Sequence, residues 1–278
     1  MIRILTDSGS DITHVEAKAL GIELVELGVT FDDFDYELHK DLDFSEFYGN
    51  LPKAKNLPRT SQVNPSQFLE IFNDVKQKGD EMFVISLSGG LSGTFQSAQI
   101  AKDECGYDGI VLMDSQQATV VYRMLVDQAI RLRNEGKNLA EIEAEMKKLG
   151  ERVGFVFCAD TLEYLKKGGR IPPALALIGG ALRLKPVITV EEGKAKTIEK
   201  ARGLKAAIRV MHNYIQTHGF DPDMQVYFGY TGDEARGKEF MEETAAMFAM
   251  NNCKLYPVGP VIGTHVGPGC VAVSFFKR

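Results

Sequence analysis

The chain opens on a short apolar run, MIRILT, that gives way to the polar cluster Thr6–Asp11. A run of that length bounded by turn residues predicts a buried strand. THVEAKALG follows with helical spacing and stops at Gly21, a residue type that tolerates the left-handed conformation in which helices commonly end. IELVELGVTF predicts a second strand. NPSQFLEIFNDVKQKG carries the strongest helix signals of the first half. Asn64 suits the N-cap, Pro65 the first helical position, Gln67 completes a capping box, and Gly79 lies past the end. EMFVISLS predicts a strand, LSGTFQSAQIAKDE a helix entered through a glycine-rich turn, GIVLMDS another strand, and QQATVVYRMLVDQAIRLRNEG a long helix. Strands alternating with helices in this way predict a parallel sheet covered by helices.

The rhythm changes after LAEIEAEMKKLG. RVGFVFCAD predicts a strand, and TLEYLKKGGRIPPALALIGGAL predicts two short helices broken at Gly168–Gly169 and Pro172–Pro173. KPVITVEEGKAKTIEKAR predicts a hairpin turning at Glu192–Gly193. A helix (GLKAAIRVMHNYIQTHG), a strand (MQVYFGYT), a helix (EARGKEFMEETAAMFAM) and two strands (KLYPVG, CVAVSFF) complete the chain. A hairpin inside an α/β alternation predicts a mixed sheet. The expected fold class is α/β in two domains: a Rossmann-like parallel-sheet domain over residues 1–155 and an α/β domain with a mixed sheet over residues 156–278. No repeat or low-complexity linker separates them, which implies close packing.

Composition narrows the function classes. The 278 residues are 44% hydrophobic and 25% charged, an ordinary globular profile in a chain long enough to bury a core without staples. The 32 Lys and Arg against 38 Asp and Glu give a net charge of −6, which argues against nonspecific nucleic-acid binding. Cys105, Cys158, Cys253 and Cys270 lie far apart with no CxxC pair, so neither a zinc site nor a redox pair is expected and a reduced, cytoplasmic setting fits. Arg3, Asp7 and Asp11 surround the first apolar run, leaving no secretory h-region. The uncharged stretch Leu255–Phe276 has the length of a membrane span. It is punctuated by Pro257, Pro260 and Pro268 and by four glycines, so it predicts turns and strands and no membrane anchor. Asp32, Asp33 and Asp35 predict an acidic loop.

Four polar clusters are candidates for chemistry. TDSGSD (Thr6–Asp11), SLSGGLSGT (Ser86–Thr94) and DSQQAT (Asp114–Thr119) each sit where a strand candidate ends, while RTSQ (Arg59–Gln62) leads into the helix beginning at Asn64. Ligands of open parallel sheets collect at the carboxyl ends of the strands, where hydroxyls and free N–H groups suit a carboxylate or phosphate. The same residue types also make turns and caps without any ligand, and for each cluster taken alone that is the commoner use. SGGLSGT is no P-loop, because no GK[ST] follows. It is no nucleophile elbow either, because Gly93 comes directly after Ser92, one place early for G-x-S-x-G. What survives is a loop feeding a helix N-terminus, with Ser92 and the N–H groups of Gly93 and Thr94 facing an anion.

The second half adds GGRIPPA and IGTHVGPG. Arg170 follows two glycines that let the backbone bring a cation close, and His265 sits between Gly263 and Gly267 in what reads as a loop. A lone arginine is usually a surface charge, and a lone histidine usually structural. His14, His39, His212 and His218 are scattered without ligand spacing, so no metal is expected. Arg202, in KARGLKAA before a helix, is a candidate contact for a phosphate-bearing partner or else a solvated helix-start residue.

Taken in order, TDSGSD, TSQVNPSQF (Thr60–Phe68), ISLSGGLSGTFQSA (Ile85–Ala98), DTLEYLKKGGRI (Asp160–Ile171), KARGLKAA and GTHVGPG (Gly263–Gly269) resemble the DegV family, and the matches span nearly the whole chain. Gly89, where a second serine is common, and Pro172–Pro173 depart from the pattern. The resemblance implies a Rossmann-like domain and a second α/β domain with a long-chain fatty acid between them. It further implies the binding subunit of a two-component bacterial fatty acid kinase serving phospholipid synthesis. A separate ATP-binding kinase subunit then phosphorylates the carboxylate that this protein presents, without a cofactor or catalysis of its own. On that pattern Thr60, Ser61 and Ser92, with Gly93 and Thr94, hold the carboxylate, Arg170 and His265 lie beside it, and Arg202 serves phosphotransfer or docking of the kinase subunit.

The energetics are compatible. Burying about fourteen methylenes of a sixteen-carbon chain contributes about 11 kcal/mol gross, of which lost freedom removes several kcal/mol. The carboxylate is the costly part and needs hydrogen bonds. Two other readings compete: an esterase or thioesterase with Ser92 as nucleophile and His265 as base, and a fatty-acid-responsive sensor, for which the sequence offers no DNA-binding module.

Overall fold

The computed structural model describes residues 1–30, 44–171 and 184–278. The acidic loop at Asp32, Asp33 and Asp35, His39, and Pro172–Pro173 with the second of the two short helices lie outside the described residues.

The first half runs β1 (Ile2–Asp7), α1 (His14–Leu20), β2 (Glu23–Val25), β3 (Gly28–Thr30), α2 (Ser45–Asn50), β4 (Arg59–Ser61), α3 (Pro65–Lys78), β5 (Glu81–Ser86), α4 (Thr94–Cys105), β6 (Ile110–Asp114), α5 (Thr119–Asn134) and α6 (Leu139–Glu151). Four of these strands form a parallel sheet in the order β2-β1-β5-β6. The strand order reverses between β1 and β5, the position at which doubly wound sheets open a crevice. The helix signals act as expected. Asn64 and Gln67 form the capping box of α3, and Gly79 ends it at φ 65°.

Two expectations need correction. IELVELGVTF is two strands: β2 joins β1 in the parallel sheet, and β3 leaves it to pair antiparallel with β4. The break comes at Glu26–Leu27, where the Leu27 N–H turns away from a ladder to donate to Ser8 Oγ at 2.9 Å. Arg59–Ser61, expected to lead directly into a helix, is β4 itself, with Val29 opposite Thr60 and Gly28 opposite Ser61. A side chain at Gly28 would run into Ser61 Oγ, so the glycine permits the pairing.

The second half runs β7 (Val153–Cys158), α7 (Glu163–Lys167), β8 (Leu184–Glu191), β9 (Lys194–Arg202), α8 (Leu204–His218), β10 (Val226–Tyr230), α9 (Glu234–Phe248), β11 (Cys253–Pro257), α10 (Pro260–Val266) and β12 (Val271–Phe276). Its six strands form a mixed sheet, β11-β10-β12-β7-β8-β9, in which only β10 and β11 run parallel. The expected boundary after residue 155 falls inside β7. The hairpin turns at Glu192 (φ 50°) and Gly193 (φ 73°), both left-handed as a two-residue hairpin turn requires.

Helix α5 joins the halves. Its N-terminal half, Thr119–Val126, is buried all round, and its exposed polar residues gather toward the C-terminal end. Toward the first sheet, Tyr122 Oη meets Thr6 Oγ1 and the Ile85 carbonyl, each at 2.6 Å. Toward the second, Asp127 accepts from Tyr227, and Arg123 lies over the Tyr256 ring at 3.8 Å. One apolar core therefore runs from the first sheet through α5 to one face of the second, whose other face packs on α8 and α9. No helix among the described residues is long and apolar enough to cross a membrane.

Candidate functional site

The polar clusters after β1, β5 and β6 meet at the carboxyl ends of the parallel strands, but they do different work. TDSGSD is absorbed by the protein. Asp7, 1% exposed, accepts from Gly9 N, Ser86 Oγ and Leu87 N at 2.8–2.9 Å, and burial still pushes its carboxyl up to about 6. Ser8 and Ser10 bond backbone atoms. Asp114 accepts from the N–H groups of Gly89 and Gln116 and so fixes the glycine-rich turn. A Cβ at Gly89 would stand 3.0 Å from Asp114 Oδ2.

The Ser88–Gly93 loop is held on its other side by the hairpin. Ser88 Oγ, fully buried, donates to the Gly193 carbonyl at 2.8 Å, and a Cβ on Gly90 would lie 2.5 Å from that same oxygen. Only a glycine lets the turn of the second sheet approach this closely. The loop then bends so that Ser92 Oγ accepts from Thr94 N at 3.2 Å and meets Thr94 Oγ1 at 2.9 Å.

Between the two sheets lies a cavity with about 190 Å³ of room for the centre of a water molecule, against roughly 10–15 Å³ for a single water. Its lining is apolar over most of its extent, with Leu27, Leu87 and Leu91 from the first half and Phe155, Phe157 and Ala272 from the second. Val190 and Ala195, opposite each other on the hairpin, close one side. Thr60, Ser61, Gln62, Ser92, Gly93, Arg170 and His265 supply the polar wall. Ser61 and Gln62 are exposed, while Thr60, Ser92, Arg170 and His265 are half-buried, so the polar part is also the part open to water. The N-terminus of α4 abuts Ser92 and Gly93 and adds its favourable potential for an anion.

His265 stands on a helix, α10, where a loop was expected. Pro260 at the first helical position and Gly267 past the end, at φ 76°, are the sequence signs of that helix. Its Nε2 lies 2.9 Å from Thr60 Oγ1, and its buried Nδ1 has no partner. Burial, with Arg170 nearby, pushes the ring down to about 4, so it is neutral at neutral pH. The proton belongs on Nε2, because a buried N–H without an acceptor costs more than a buried lone pair without a donor. Thr60 Oγ1 then accepts from the ring and has its own proton free to donate. A side chain at Gly168 would collide with His265 Nδ1. Arg170 donates to the Leu91 carbonyl at 3.1 Å and the Gly168 carbonyl at 2.6 Å, tying α7 to the glycine-rich loop.

Two candidates are placed differently from the rest. Thr94 is buried behind Ser92, its hydroxyl also 3.4 Å from Val63 N, and it does not line the cavity. Arg202 ends β9 and lines a separate surface groove. The nine residues of strand from Gly193, against the two from Gly90 to Ser92, set Arg202 and Ser92 on the order of 20 Å apart.

The whole chain, residues 1–278, matches the family described as "Uncharacterised protein, DegV family". The chain belongs to the DegV family. A DegV domain-containing protein of Caldanaerobacter subterraneus subsp. tengcongensis is 35% identical over 278 residues, covering 100% of this chain and 99% of the relative. A structure described as fatty acid binding of a DegV family protein from Thermus thermophilus superposes with TM-score 0.89 at 30% identity, covering 100% of this chain and 99% of that one. DegV of Bacillus subtilis, described as a fatty acid binding protein, superposes with TM-score 0.84 at 26% identity, covering 100% and 99%. The two-sheet α/β architecture is that of DegV structures.

Sequence reasoning missed Gln62, Ser88, Val190 and Ala195 in this DegV chain. Gln62 donates to Ser97 Oγ at 2.9 Å, and a side chain at Gly93 would collide with its amide. Gln62 and Ser88 lay inside clusters already singled out. The inward face of the hairpin was readable from the period-two alternation around Glu192–Gly193.

Proposed function

We propose that the protein binds a long-chain fatty acid between its two sheets and presents the carboxylate to a separate ATP-dependent kinase subunit for acyl-phosphate formation. The observation that carries the reading is one cavity with a polar, water-facing wall and an otherwise apolar lining, in a chain that superposes over its full length on a DegV protein described as fatty acid binding. Thr60, Ser61, Ser92 and Gly93 hold the carboxylate, and Arg170 and His265 flank it. Thr94 supports Ser92 from behind. The hydroxyls satisfy the charge that makes burial costly. Arg202, at its distance, serves docking of the kinase subunit and not contact with the transferring group.

The geometry favours this over hydrolysis. A serine nucleophile needs its base within hydrogen-bond reach, whereas His265 Nε2 is engaged with Thr60, and Ser92 Oγ with Thr94. The test is mass spectrometry of lipid extracted from denatured purified protein, with titration of delipidated protein by palmitate and oleate. Fatty acid in the extract and saturable binding are expected. An empty extract together with no binding overturns the reading.

A further inference from the structure

The polar wall decides where a carboxylate sits, and the apolar lining decides where the chain behind it can end. Helix α10 runs along the cavity. His265 stands near its C-terminal end, and Val258 lines the cavity just before its N-terminal end. Around Val258 the lining is closed. Val258 and Ala272 are each 2% exposed, and Thr119, tied through Asp11 to Gly259, is 5% exposed. The hairpin side is more open, because Ala195 is half-buried. An apolar tail gains most where it is fully removed from water, so the closed end receives it. Ala272 forms the floor of that end. It lies on β12, a central strand of the second sheet, between Gly229 of β10 and Phe157 of β7. The space that Gly229 leaves is already filled: a Cβ there would stand 3.0 Å from Val120 Cγ1 and 3.3 Å from Val258 Cγ2. On the other side the Phe157 ring lies tilted against Phe155, their centroids 5.6 Å apart, and both rings line the cavity. Between the valines and the rings, the floor carries one methyl group.

We propose that Ala272 measures the acyl chain: the terminal methyl stops against it, and the size of the side chain at 272 sets the longest chain the cavity holds. This rests on the fatty-acid reading and adds a length limit to it. The flanks of Ala272 are close-packed, so a larger side chain there has only the cavity to grow into and displaces ligand methylenes. Each methylene that finds room strengthens binding about fourfold. One that lies past the floor contributes nothing, or forces the chain back toward the mouth. The limit is therefore a property of one position and not of the polar wall, whose hydrogen bonds are the same for every chain length.

The test loads delipidated full-length protein from an equimolar mixture of laurate, myristate, palmitate, stearate and arachidate. The bound acids are extracted and quantified by mass spectrometry. The ratio among lengths is the readout, which a partly unfolded sample does not change. Ala272→Leu should displace about three methylenes and lower retention of the longest acid that wild type holds, relative to laurate, about fiftyfold. Ala272→Val should give a smaller shift in the same direction. Ala272→Gly should shift the profile toward longer acids, a reversal that damage to the fold would not produce. Ala195→Leu, at the hairpin, should leave the profile as in wild type. Circular dichroism checks that the variants are folded. An unchanged profile in the folded Ala272 variants overturns the proposal, as does a limit that moves in Ala195→Leu in their place. Uptake of no acid by wild type overturns the fatty-acid reading and the length limit together, whereas uptake with unaltered lengths overturns the limit alone.

Discussion

The backbone N–H of Gly259 donates to Asp11 Oδ1 at 2.8 Å, joining residues 248 apart in sequence. Asp11 is 4% exposed, sits at φ 60°, and also accepts from Thr119 Oγ1 at 2.5 Å. Thr119 lines the cavity, and Gly259 immediately precedes α10, which carries His265. One carboxyl thus fixes the first half's loop against the helix that bears the cavity's histidine.

Burial pushes the Asp11 carboxyl up to about 7 and the His265 ring down to about 4. The two act in opposite senses. Between about pH 4 and 7 the folded protein holds the Asp11 proton more tightly than the unfolded chain, so this group's stabilisation is lost as pH rises through that window. Between about pH 4 and 6.5 the folded protein holds a proton on His265 less tightly, so that contribution grows with pH. Relative to wild type, the unfolding free energy measured by denaturant titration should climb more steeply with pH from 4 to 7 in Asp11→Asn and less steeply from 4 to 6.5 in His265→Asn, each by at most ~1.4 kcal/mol per pH unit. Parallel profiles for wild type and both variants would refute the assignment.

Thr60→Ala and Ser92→Ala should each weaken fatty-acid binding by roughly 1.5–3 kcal/mol, the range for a hydrogen bond to a charged group. Isothermal titration of delipidated protein measures this. Unchanged affinity in the double variant would place the head group elsewhere.

Gly168 has ordinary helical φ, so Gly168→Ala tests space alone. The new methyl meets His265 Nδ1, and the ring must shift away from Thr60. A stability loss of about 1–3 kcal/mol is expected from overpacking, together with weaker lipid binding than in wild type. Full lipid affinity would show that the Thr60–His265 pair does not position the head group.

Gly90→Ala drives a methyl onto the Gly193 carbonyl and should lift the hairpin from the glycine-rich loop. Bound fatty acid should then dissociate faster, measured by transfer to vesicles under stopped flow. A rate equal to wild type would mean that the hairpin does not close the cavity.

Much of this was legible in the chain. The strand–helix alternation, the capping box at Asn64 and the turn at Glu192–Gly193 are local signals that the structure follows. The division of IELVELGVTF between two sheets was not, because its apolar positions fit either partner and only long-range pairing decides. The helix at Pro260–Val266 was masked by its glycines and prolines, which also read as a loop. The hydroxyls of TDSGSD resemble those near Ser92 in composition. What separates them is Tyr122, the Leu27 N–H and the Asp7 carbonyl, which take up Thr6, Ser8 and Ser10 and leave Ser92 facing the cavity.

The hairpin resting on the glycine-rich loop has a thermodynamic consequence. Because the cavity takes its walls from both sheets, whatever fills it is a shared adhesive: occupancy favours the docked arrangement of the two halves, and the docked arrangement favours occupancy by the same free energy. The empty protein is then the looser molecule, and a partner that touches both halves can tell filled from empty by stiffness alone, without contacting what fills the cavity.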